Sequence, residues 1–63
     1  MSEQKQAVEH NKSGLAFYAS WEIDKAVDAF SAAVSADPQN PEYHLNLTRA
    51  YTRGGNYDQA MAA

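Results

Sequence analysis

The sequence predicts an all-α fold of antiparallel helix–turn–helix repeats whose last helix is truncated. Three observations carry that expectation. Apolar residues recur at helical spacing, proline and glycine punctuate them where short turns fit, and the chain resembles itself after a shift of 34 residues. There is no strand candidate.

The first helical pattern covers about residues 3–20, with Ala7, Gly14, Leu15, Phe17 and Tyr18 on its less polar face and no proline to interrupt it. In the second, Ile23, Ala26, Val27, Phe30, Ala33 and Val34 form one apolar stripe. Asp37-Pro38 ends it, because the residue before proline is pushed out of the helical region. Asn40-Pro41-Glu42 then reads as cap, first helical position and acidic first turn. The third helix carries Leu47, Ala50 and Tyr51 and stops at Gly54-Gly55. Asn56, with Gln59 three residues on, has the form of a capping box opening a fourth helix that has only begun when the sequence ends at Ala63.

The shift of 34 residues lays His10 on His44, Ala16 on Ala50, Asp24 on Asp58, Ala26 on Ala60 and Ala29 on Ala63. It also pairs Phe17 with Tyr51, Ile23 with Tyr57 and Val27 with Met61, so large residues meet large ones and small meet small. This unit resembles the tetratricopeptide repeat. The matching residues are Gly14, Phe17, Ala26, Phe30, Ala33 and Pro38 in the first unit, then Asn46-Leu47, Ala50-Tyr51, Gly55-Asn56-Tyr57-Asp58 and Ala60 in the second. Small residues at Gly14, Ala26 and Ala60 permit close helix approach, and Phe17, Phe30 and Tyr51 fill the space between. The departures are Ser13 for the usual leucine, Trp21 for a small turn residue, and Thr48 for a glycine-like one. The resemblance implies a tetratricopeptide-like α-solenoid fragment: residues 1–6 extend the first helix, 7–40 form the first repeat, and 41–63 form a second, incomplete one.

Bulk properties narrow the function. With 63 residues and no cysteine, neither a disulfide framework nor a thiolate metal site is available. A net charge of −3 argues against general nucleic-acid binding, which needs a basic surface. No apolar run approaches the ~20 residues of a membrane span, and the polar segment 1–6 lacks the apolar stretch of a secretory signal. A cytoplasmic location is expected. Repeats of this kind bury their faces on neighbours, and about three are needed for independent stability. The sequence is therefore expected to be a fragment of a longer chain or part of a homo-oligomer.

In the resembled family the first helix of each repeat lines a concave groove that accepts a peptide or helix of a partner. The resemblance implies that Asn11, Lys12, Leu15 and Tyr18, with Val8 and Ala19, face it from the first repeat. Leu45, Asn46, Arg49 and Arg53, with Thr52, face it from the second. Lys12, Arg49 and Arg53 are three of the five basic residues, so the expected partner is a protein or peptide bearing acidic groups. The rival for Arg49 and Arg53 is simple solvation of a helix face. Trp21 has two readings, an exposed contact for a partner or a lid over Ile23 and Phe17.

Sharper chemistries find little support. Chaperone-binding members grip a terminal carboxylate with a lysine and an asparagine of the first helix and an asparagine of the third. Asn46 matches the last, but Asn11 and Leu15 stand at the other two places. His10 and His44 supply two metal ligands where structural zinc takes about four. His10, Ser13 and Glu9 lack the oxyanion site and pocket that a nucleophile needs. Gly54-Gly55 has no lysine after it and no strand before it, unlike a phosphate loop. The expectation is a protein-interaction scaffold with no catalytic residue, metal or cofactor. Two alternatives stay open: an assembly module docking its open terminal helix on a larger complex, and a regulatory appendage of an enzyme.

Overall fold

A computed structural model describes residues 3–55. Three helices follow one another, α1 (Glu3–Ala19), α2 (Ile23–Ala36) and α3 (Pro41–Arg53). The fourth-helix expectation, with its capping box at Asn56, lies outside the described residues.

The ends of the helices follow from local chemistry. Asn40 caps α3 as the sequence predicts: its side-chain oxygen accepts from the Glu42 N–H at 2.9 Å, and Pro41 takes the first position, where no donor is missed. At the other end Gly54 keeps a negative φ of −82°, and it is Gly55 that turns left-handed at +83°. Glu22 precedes α2 without a side-chain cap; its carboxylate instead takes Lys25 Nζ at 3.0 Å.

The α1–α2 turn is less ordinary. Glu22 N–H donates to Phe17 O at 2.9 Å and Trp21 N–H to Tyr18 O at 3.2 Å, the pair of bonds that closes a Schellman C-cap. That motif needs a left-handed residue after the helix, and here it is Trp21, at φ +64°. Glycine is the usual occupant because a Cβ in this region costs about 1–2 kcal/mol.

Packing explains the order of the layers. Ala26, Phe30 and Ala33 recur at offsets of zero, four and seven and are buried, so α2 presents one stripe inward. The end of α1 and the start of α2 meet near Phe17, Tyr18, Ala26 and Phe30, while Ala7 near the start of α1 meets Ala33 near the end of α2. The two helices therefore run antiparallel. By the same reasoning α3 runs antiparallel to α2, with Leu47 and Ala50 against Ala26 and Phe30, and Tyr43 against Ala33.

Close approach depends on Gly14. A Cβ built there would stand 2.5 Å from two ring carbons of Phe30, far inside contact distance, and Phe30 is only 1% exposed. The second helix thus lies across both others, in a layer of its own. This is an all-α helical-repeat architecture.

Candidate functional site

The first helices of successive pairs lie side by side. Asn46 donates to Asn11 at 2.9 Å across a separation of 35 residues, and Arg53 meets Tyr18 at the same separation, so α1 and α3 run parallel in constant register. Their outer faces form one surface, on the side away from α2.

That surface retains exposed apolar groups. Leu15 is 47% and Leu45 49% exposed, and Val8 is exposed as well. Val8, Lys12 and Leu15 share one face of α1 by their spacing, and Leu45 stands one turn before Arg49 on α3. Between the helices lies a cleft of about 50 Å³, lined by Leu15, Tyr18, Asn46 and Arg49 over Phe30. Small-molecule sites usually run to about 300–1,000 Å³, so the cleft suits a single apolar side chain better than a free ligand. Sequence reasoning placed Phe30 in the core and missed that its ring also floors this cleft. Tyr18 sets the wall, tilted 56° to Phe30 with centroids 6.5 Å apart.

The remaining groove candidates divide. Asn11 and Asn46 are 8% and 7% exposed and bonded to each other, so much of their hydrogen-bonding capacity is used within the fold. Lys12, Arg49 and Arg53 are exposed. Arg53 is not simply solvated: its guanidinium carbon lies 3.8 Å from the Trp21 ring centroid and 4.6 Å from that of Tyr18. Trp21 itself is 65% exposed, stacked with Arg53 at the end of the groove. Nothing in the sequence signals that contact, because the two residues lie in different repeats.

Other candidate chemistries meet different surroundings. His44 Nε2 makes a 2.7 Å hydrogen bond with Pro38 O, tying α3 to the turn before it. His10 is exposed, as is Ser13; both border a hollow with Phe17, Lys25 and Asp28, and no hydrogen bond joins them. Among the described residues no group of three or more His, Cys, Asp or Glu side chains is placed to hold a metal. No helix among them is long and apolar enough to cross a membrane. Thr48 tolerates its half-buried place by bonding its hydroxyl to His44 O at 3.0 Å, and Thr52 repeats this onto Thr48 O at 2.9 Å.

Comparison with known proteins agrees with this geometry. The tetratricopeptide repeat family matches residues 18–63. An Hsp70-Hsp90 organising protein from Plasmodium falciparum (isolate 3D7) is 32% identical over 59 residues, which is 94% of this chain. The chain spans about a tenth of the length of that curated relative, 10%. No solved structure gives a significant match. Parallel first helices packed on a crossing second helix, together with these matches, establish that the chain belongs to the tetratricopeptide repeat family, whose repeats serve protein–protein interaction.

Proposed function

We propose that the chain holds a partner protein through the surface formed by α1 and α3, taking an extended peptide or a helix with an apolar anchor and acidic neighbours. One observation carries this reading: a cleft between exposed Leu15 and Arg49, with a tyrosine wall and a phenylalanine floor, lies on the face that also bears Leu45, Lys12 and Arg53. Exposed apolar groups beside guanidinium groups that make no ion pair among the described residues fit an interface centre with a charged rim. The partner's apolar side chain fills the cleft, and the arginines engage its carboxylates. Asn11 and Asn46 serve by fixing the spacing of the two helices rather than by touching the partner first.

The relative's name points to chaperones, but a chaperone-tail clamp is the less favoured partner mode here. The clamp's lysine place holds Asn11, and the matching Asn46 is already bonded to it. Assembly onto a larger complex and service as an enzyme's appendage are the rival roles; both predict a partner that ignores the cleft. The test is capture of partners from lysate by the parent and by Leu15→Glu and Arg49→Glu variants. Loss of the same partner in both variants supports the groove, and full retention in both overturns it.

A further inference from the structure

We propose that the Tyr18–Arg53–Trp21 stack is a receptor for one aspartate or glutamate side chain of the partner, with Trp21 as the residue that positions Arg53. The inference rests on the groove reading and specifies its chemistry at one end. The rings stabilise the cation through their faces but accept no conventional hydrogen bond, and Arg53 has neither an ion pair nor a side-chain hydrogen bond among the described residues. No described residue takes its donors, and the planar group is already restricted by two aromatic neighbours. A carboxylate matches that fork with two parallel bonds, and the restriction lowers the ordering cost of forming them.

Two further features agree. Arg49 lies one helical turn before Arg53, exposed, and like charges at that spacing repel until an anion joins them. Lys25–Glu22 pairs at the start of α2, and neither Arg49 nor Arg53 has a carboxylate partner among the described residues. Trp21 also holds a left-handed backbone at φ +64°, where glycine would close the same two turn bonds without strain. The ring contact with Arg53 is what a glycine at this turn would lack. A monoanionic carboxylate suits the site better than a phosphate dianion, because the chain carries a net charge of −3.

The test uses fluorescein-labelled peptides of alternating leucine and glutamate, leucine and glutamine, and leucine and phosphoserine, titrated into the full chain by fluorescence anisotropy at low salt. The parent is expected to prefer the glutamate peptide over the glutamine one by about tenfold, the scale of one charge-assisted contact. Arg53→Lys, which keeps the charge and loses the fork, and Trp21→Gly, which relaxes the turn and removes the ring, should each cut that preference to about threefold or less. The preference in each variant is taken relative to that variant's own glutamine peptide, and Trp21→Phe should keep most of it. Unchanged circular dichroism in Trp21→Gly excludes unfolding as the cause. Equal binding of the glutamate and glutamine peptides overturns the carboxylate receptor and leaves the groove intact. Failure of every peptide to bind removes both. An undiminished preference in Trp21→Gly, or tighter binding of the phosphoserine peptide, also overturns the assignment.

Discussion

Gly14→Ala probes the tightest helix crossing in the chain. On an exposed helix the change would stabilise by about 1 kcal/mol, since glycine is the poorer helix former by that amount. At this crossing the new Cβ meets two Phe30 ring carbons at 2.5 Å, where carbon atoms in contact normally stand about 3.5–4.0 Å apart. A rigid ring that is 1% exposed has no solvent to swing into, so the helices must separate. Overpacking costs about 1–3 kcal/mol, and two contacts this short put the site in the upper part of that range, about 2–3 kcal/mol, so that after the propensity gain a net loss of roughly 1–2 kcal/mol is left. Urea unfolding followed by far-UV circular dichroism measures it. Phe30→Leu in the Gly14→Ala background should recover part of the loss, giving a coupling of about 1 kcal/mol in the double-mutant cycle. If Gly14→Ala is as stable as the parent or more so, the crossing is looser than described and the reasoning fails.

Other expectations follow from the polar contacts. Asn11→Ala strands a buried Asn46 amide and should destabilise by about 1–3 kcal/mol, whereas replacing both asparagines with leucine should come closer to neutral; denaturant midpoints compare the two. Asn40→Ala removes the bond to the Glu42 N–H and should lower stability by about 1 kcal/mol, with Asn40→Asp retaining it in the same unfolding assay. Arg49→Glu should weaken binding of an acidic peptide and flatten or invert the salt dependence seen with the parent, read by calorimetry at two ionic strengths.

What the sequence disclosed differs from helix to helix. The second and third helices were legible because their punctuation is chemical: Asp37-Pro38 forbids continuation, Asn40-Pro41 starts anew, and Ala26, Phe30 and Ala33 are buried where the stripe puts them. The first helix read poorly. Its buried residues are Ala7, Asn11 and Gly14, a small and polar set that apolar periodicity does not register, while Leu15 of its less polar face is exposed. The groove residues came only through family resemblance, and two of them proved mutually bonded. A lone asparagine reads as surface until its mate 35 residues away is known. Trp21 advertised its oddity, yet its left-handed backbone was hidden because a Schellman turn is ordinarily flagged by glycine.

The amide bridge between Asn11 and Asn46 has a mechanical consequence. Sliding α1 along α3 by a turn would leave two polar groups stranded in a dry interior, so the easy motion of neighbouring coils past each other is blocked at that rung. A spring pinned in this way flexes by bending and resists shear. On the proposed groove reading, the distance between anchor points would then be a fixed ruler, and a partner whose own residues are spaced differently would be refused by geometry before chemistry is consulted.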